Sequence, residues 1–215
     1  MKKLIITTVA LMMATSAYAT DLPNKKKAPA APAPVAATEA PASTDSLTVS
    51  YGQDLGNNFG AKVDDAYQVA YKHNLGGGFS VGGMAKTTQV EGSKLNQNLE
   101  AQVGYALPAM AGVTVSGKVG VGEKFTTSNF PYYALYGAAD YKVMDGLTFN
   151  AVQYRYRSAF DVPTNGYQSH QFATGITYDI NSKYSVSAKV ARNFDTTSSY
   201  NATGDEVVAG LTVKF

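Results

Sequence analysis

From Ser46 to Phe215 the apolar residues of this chain recur at every second position, and that period constrains the fold more than any other feature. In "LTVSY" Leu47, Val49 and Tyr51 alternate with Thr48 and Ser50. In "VTVSGKVGV" Val113, Val115, Val119 and Val121 alternate with Thr114, Ser116, Lys118 and Gly120. Side chains two apart share one face of a strand, whereas a helix would scatter the same pattern around its circumference. The abundance of β-branched residues and glycine favours strands too. Ten such segments can be read, at roughly 46–54, 64–74, 78–89, 95–107, 112–125, 131–143, 146–158, 167–179, 183–195 and 204–215.

The connections alternate in length. "NLGGG", "PAMAG", "MDG" and "INSK" are tight, while "GQDLGNNFGAK", "VEGSKLN", "EKFTTSNF", "RSAFDVPTNGYQS" and "DTTSSYNATGD" are longer and polar. An even strand number, short turns at one end, long loops at the other and both ends of the strand region on the short-turn side is the organisation of bacterial outer-membrane barrels. The sequence closes on the strand "EVVAGLTVKF". An unpaired strand edge recruits other strands, so the last strand is expected to pair with the first, with Phe215 at the membrane interface on the short-turn side.

A soluble barrel with its apolar face turned inward would show the same alternation, so the opposite face decides. That face carries Gly82, Gly104, Gly120, Gly122, Ala134, Ala138, Ala173, Gly175, Ser185, Ser187 and Gly210, with few and scattered charges. A soluble exterior would be crowded with Lys and Glu. Small residues suit a narrow interior instead, which makes the apolar face the outside. Aromatic residues on that face sort by height. Tyr71, Phe79, Tyr105, Tyr141, Phe149, Tyr178, Tyr184 and Phe215 lie near the short-turn end; Tyr67, Phe125, Tyr133, Tyr154, Tyr156, Phe172 and Phe194 lie near the long-loop end. Two belts of amphipathic rings match the two interfaces of a bilayer. There is no Trp, and fifteen Tyr residues can take its place there.

With these features the chain resembles small bacterial outer-membrane β-barrel proteins of the porin-like class. The resemblance covers the leader, the ten alternating segments and the ending "VVAGLTVKF". It implies an all-β, transmembrane, antiparallel up-and-down β-barrel of about ten strands, embedded in outer-membrane lipid. It also implies that Val207, Ala209, Leu211, Val213 and Phe215 form the C-terminal signal read by the barrel-assembly machinery.

The first nineteen residues, "MKKLIITTVALMMATSAYA", set Lys2 and Lys3 before an apolar run from Leu4 to Ala14 and small residues at Ala17 and Ala19. This is the pattern of a cleaved secretory signal; the run is shorter than the roughly 20 residues a spanning helix needs. Residues 20–45 are rich in Pro and Ala and read as a semi-extended periplasmic linker, leaving 46–215 as the barrel. Lys25, Lys26 and Lys27 could touch an anionic membrane surface, though so short a run is commonly just solvated. No Cys is present, which rules out disulfides and an acylated-Cys anchor. Cleavage would leave 16 basic and 16 acidic side chains, a balance that argues against a broad nucleic-acid surface.

If the apolar set faces lipid, Lys72, Lys86, Glu100, Lys118, Asp140, Lys142, Arg155, Lys189, Glu206 and Lys214 face the lumen. Their distances from the "PAM" turn predict that Glu100 and Lys118 are cross-strand neighbours, with Lys86 on the other side of Glu100. These charges either tune ion passage or fill a closed interior, since barrels of about 8 strands are filled by side chains and those of about 16 to 18 carry a channel. In "LTFNAVQYRYR" the alternation slips. Either a β-bulge near Ala151 and Val152 puts Thr148, Asn150, Gln153, Arg155 and Arg157 inside, or Phe149 faces the lumen.

No cofactor or metal motif is present: "GGGFSVGG" joins two strands rather than opening a helix, and two dispersed His residues make no zinc site. An enzyme would have to use His73, or His170 with Ser169 and Asp161, common residues whose grouping means little without geometry. Loops rich in Ser, Thr, Asn and Gly could carry surface recognition, but they identify no ligand. The expected function is thus a porin-like passage for ions or small solutes, with a closed-lumen structural or surface-interaction barrel as the alternative and an outer-membrane enzyme as a distant third.

Overall fold

A computed structural model of the chain describes residues 45–90, 95–126, 129–196 and 201–215. The expected signal segment and all but the last residue of the linker lie outside the described residues. Ten strands follow in order: β1 (Asp45–Leu55), β2 (Lys62–Gly76), β3 (Phe79–Val90), β4 (Asn96–Ala106), β5 (Val113–Phe125), β6 (Phe130–Met144), β7 (Leu147–Ala159), β8 (Gln168–Asp179), β9 (Tyr184–Asp195) and β10 (Asn201–Lys214). One short helix, α1 (Val162–Asn165), sits in the β7–β8 loop.

Each strand pairs antiparallel with its neighbours in sequence, and β10 pairs with β1, so the sheet closes into an up-and-down barrel. The seam runs from Ser46 opposite Lys214 to Leu55 opposite Asp205. At its short-turn end, Asp45 and Phe215 exchange two backbone hydrogen bonds of 3.1 and 3.0 Å. Closure leaves no edge strand exposed.

The turn chemistry explains the short connections. Gly76, Gly77 and Gly78 all have positive φ (85°, 58° and 88°), a left-handed run that a residue with a Cβ resists. Long-loop connections are partly built from strand. β10 starts at Asn201 rather than near residue 204, because Asn201 pairs with Asp195 and extends the β9–β10 hairpin.

The slip in β7 is a bulge. Asn150 opposes Asp140 and Val152 opposes Ala139, leaving Ala151 without an opposite residue on β6. On the other side, the register jumps between Asn150 and Gln153, where Thr174 Oγ1 donates to the Asn150 carbonyl at 3.0 Å. The extra residue keeps Phe149 on the outer face at 42% exposure and turns Val152 outward too, at 51%. Gln153, Arg155 and Arg157 then share the inner face with Thr148 and Asn150.

Candidate functional site: the barrel lumen

The outer face is apolar over a height suited to a membrane. On β5 the outward residues run Val113, Val115, Val119 and Val121 before Glu123. That is about 27 Å of strand at ~3.4 Å per residue, or about 20 Å along the normal at a tilt near 40°. Leu99, Val119 and Val121 are 58, 56 and 58% exposed. A soluble protein rarely leaves a contiguous apolar surface of this kind.

Aromatic rings bracket this band. Tyr71, Phe79, Tyr105, Tyr141, Phe149, Tyr178, Tyr184 and Phe215 are exposed toward the short-turn end, as are Tyr67 and Phe172 toward the long-loop end. Phe125, Tyr133, Tyr154, Tyr156 and Phe194 are half-buried. Four of those five pack on neighbours: Tyr133 on Tyr156 at 5.9 Å, Tyr154 on Phe172 at 5.0 Å and Phe194 on Phe172 at 6.0 Å. Beyond the upper belt the outer face turns polar. Tyr51 donates to Asp65 at 2.6 Å, and Arg192 holds Asp205 through bonds of 2.7 and 3.0 Å. The amide of Phe59 also donates to Asp205, tying the β1–β2 loop to β10.

Of the C-terminal residues, Leu211 and Phe215 are exposed, Ala209 is likewise on the surface, and Val207 and Val213 are half-buried. All five carry the odd-numbered parity of the outer face.

Inside, the most connected group is Glu100 on β4, which is 2% exposed. Its carboxylate accepts from Gln102 (2.7 Å), Tyr132 (2.9 Å), Tyr136 (2.5 Å) and Arg157 (2.9 Å). Arg157 lies on β7, beyond β5 and β6. The pair meets because the residues between are small. A Cβ on Gly120 would sit 2.6 Å from Glu100 Oε1, and one on Gly122 would sit 2.8 Å from the Tyr132 hydroxyl. Ala134 beside them is also buried.

A second pair repeats the arrangement. Lys86 on β3 donates to Glu206 on β10 at 2.9 Å, spanning β2 and β1. The small residues beneath it are Gly52, whose Cβ would lie 3.0 Å from Glu206 Oε1, and Ala66, which is buried. Gln171 completes Glu206 with a 2.9 Å bond and also donates to Asn193. Both ion pairs therefore run along the wall, each bridging two intervening strands.

The expected Glu100–Lys118 partnership does not form. Glu100 stands opposite Gly122, and Lys118 stands opposite Gly104, because the "PAM" connection is taken up by irregular backbone and an isolated bridge between Met110 and Val113. Lys118 donates to Gln102 at 3.2 Å instead, and its ammonium lies 4.8 Å from the Tyr136 ring centre. Lys86 likewise stands opposite Asn98, not Glu100.

Other predicted lumen residues are spread along the axis. Asp140 accepts from Asn150 at 2.8 Å, and Lys72 is exposed near the short-turn end. Lys142 belongs to the rim rather than the lumen proper: its ammonium lies 2.8 Å from Asp145 in the turn, and its hydrogen bond and charge hold that carboxyl below the usual range. Lys214 is bound by Asp179 at 2.7 Å.

Besides a small cavity of about 30 Å³ where Lys86, Arg155, Lys189 and Glu206 meet, two larger cavities occupy the interior among the described residues. The one toward the long loops measures about 260 Å³ and includes Asp54, Asp64, Lys86, Arg155 and Glu206. The one below it measures about 160 Å³, and Lys118, Arg155, Arg157 and Lys189 line it without any carboxylate. Arg155 and Arg157 border both. Tyr167 folds inward from the β7–β8 loop, with Lys124 4.2 Å from its ring centre and Phe130 and Tyr132 packed against it at 5.4 and 6.0 Å. Tyr132, Tyr136 and Tyr167 are lumen residues that aromatic character, taken as a sign of the outer face, does not reveal. Their even parity with Ala134 and Ala138 marks the first two as inward.

The histidines are not gathered with nucleophile and acid. His73 lies 2.9 Å from Asp45, while His170 contacts the Tyr154 hydroxyl at 2.6 Å on the outer face. Ser169 lines the upper cavity inside, and Asp161 caps α1 by accepting from the Thr164 amide.

No protein-family model matches the sequence, and the search of curated proteins returns no match. Among solved structures, the KdgM porin is similar at 14% identity over 79% of this chain and 99% of that one, with a TM-score of 0.49. The NanC porin gives 14% over 79% and 100%, with 0.46. The beta domain of the Bordetella autotransporter Brka gives 8% over 81% and 100%, with 0.48. The chain itself forms a closed ten-stranded antiparallel barrel, apolar outside and polar inside.

Proposed function

We propose that the chain is a bacterial outer-membrane barrel providing a narrow, porin-like passage for ions or small solutes. The observation that carries this reading is the inversion of polarity: apolar residues cover the outside over a bilayer-like height, while charged and amide side chains surround cavities within. Lipid can satisfy the first surface and water the second. Because Lys86–Glu206 and Glu100–Arg157 follow the wall, they leave those cavities beside them. The leader at 1–19 fits export with cleavage, the 20–45 segment fits a periplasmic tether, and the outward C-terminal residues fit recognition by the barrel-assembly machinery.

A closed-lumen structural barrel is the competing reading, favoured by the burial of Glu100, Arg157, Gln171 and Glu206 at mid-height. Single-channel recording of the refolded protein in a planar bilayer separates the two. Discrete conductance steps are expected from the passage, and a silent bilayer containing inserted protein would mean a closed lumen.

A further inference from the structure

We infer that the lower lumenal cavity is a binding site for one small oxyanion, a phosphate or a carboxylate, and that Arg155 and Lys189 are its main ligands; the site's effect on ion flow rests on the passage reading above. Four basic side chains reach this cavity, and no acidic one does. Two of the four are already engaged. Arg157 is committed to Glu100, and Lys118 leans on Gln102 and the Tyr136 ring. Arg155 has no counterpart to the Arg157–Glu100 ion pair among the described contacts, and its Nε, like that of Arg157, is buried without a hydrogen-bond partner. A buried guanidinium donor left unsatisfied costs free energy that a bound oxygen would recover.

The remaining lining suits an oxyanion as well. Gln68 and Gln153 contribute primary amides, whose N–H groups donate to oxygen. At about 160 Å³ the cavity has room for roughly five waters of ~30 Å³ each, or for one tetrahedral oxyanion with a little water. The carboxylates just outside the lining are already engaged, Glu206 by Lys86 and Gln171 and Glu100 by Arg157, Gln102 and Tyr136. The upper cavity, by contrast, mixes Asp54, Asp64 and Glu206 with its bases. Only basic side chains, among the charged ones, line the lower cavity, and its low-dielectric walls strengthen their field.

The test is calorimetric titration of the refolded full chain in micelles with inorganic phosphate at constant ionic strength, set beside reversal potentials in a planar bilayer. Saturable phosphate binding is expected, weakened at least tenfold by Arg155→Gln and also weakened by Lys189→Gln, which keeps the site assessable if the first variant folds poorly. Lys62→Gln, on the outer face, should leave binding unchanged. Wild-type channels should favour anions, and Arg155→Gln should reduce that preference. Conductance without saturable phosphate binding would overturn the oxyanion site and leave the passage standing. Phosphate binding in a silent barrel would uphold the site and overturn the passage.

Discussion

Arg157 donates to Glu100 across 2.9 Å, although two whole strands lie between the strands that carry them. The contact exists because Gly120 and Gly122 leave the wall bare beneath it. Both partners are buried, so each depends on the other for its charge to be tolerated.

Removing one partner should therefore be costly. Glu100→Ala strands the Arg157 guanidinium, and the expected loss is about 3–5 kcal/mol. Glu100→Gln combined with Arg157→Met should recover much of it, since no uncompensated charge is then left buried and the Gln carbonyl can still accept from the Tyr132 and Tyr136 hydroxyls. Denaturant unfolding in micelles, followed by circular dichroism, measures both; a single variant as stable as wild type would contradict the described contact.

The glycine floor gives a separate prediction. Gly120→Val should push Glu100 off its four donors, because the new Cβ alone would sit 2.6 Å from Oε1. Gly137→Val is the comparison, since nothing lies within 4 Å of a Cβ built there. The first should lower the unfolding midpoint and the second should leave it nearly unchanged.

The bulge in β7 assigns neighbours to opposite solvents. Val152→Lys would place an ammonium on the lipid face, at an expected cost of about 2–4 kcal/mol near the bilayer midplane. Gln153→Glu would place its charge in the lumen beside Arg155, Arg157 and Lys189 and should cost far less. Reversed ranking in folding titrations from lipid vesicles would mean that Ala151 is not the extra residue.

How much of this was legible beforehand depends on what period two can carry. Val113 through Val121 announced a strand and a face without any partner, and the closure of β1 on β10 followed from the edge that would otherwise remain. Register was less accessible. Counting outward from "PAM" placed Lys118 beside Glu100, yet the isolated Met110–Val113 bridge shifts the pairing and sets Gly122 there instead. Contacts that skip strands, such as Lys86 to Glu206, were out of reach, because alternation describes neighbours only. The small residues at Gly52 and Ala66 were the available sign that a long side chain could pass over them.

Topology can be checked on intact cells. The Val162–Gly166 stretch of the β7–β8 loop should be cut by added protease, and the Asp145–Gly146 turn should survive until the envelope is permeabilised. The opposite pattern would invert the barrel in its membrane.

Deleting Phe215 should reduce the amount of assembled barrel in cells while leaving the conductance of any refolded protein as in wild type. Phe215 is 64% exposed on the outer face, far from the lumenal charges, and its backbone exchanges bonds with Asp45. Undiminished insertion would remove the C-terminal strand from the assembly signal.

The two wall-hugging ion pairs also differ in when they can form. Glu100 and Arg157 are 57 residues apart and belong to a continuous run of hairpins, so they can meet while the sheet is still open. Lys86 and Glu206 are 120 residues apart and join strands on opposite sides of the seam. Ordering that longer span carries the greater loop-closure entropy, and the bond has no route to form until the first and last strands have found each other. One pair is therefore a mark of local growth, and the other is a clasp that fastens only once the cylinder is complete.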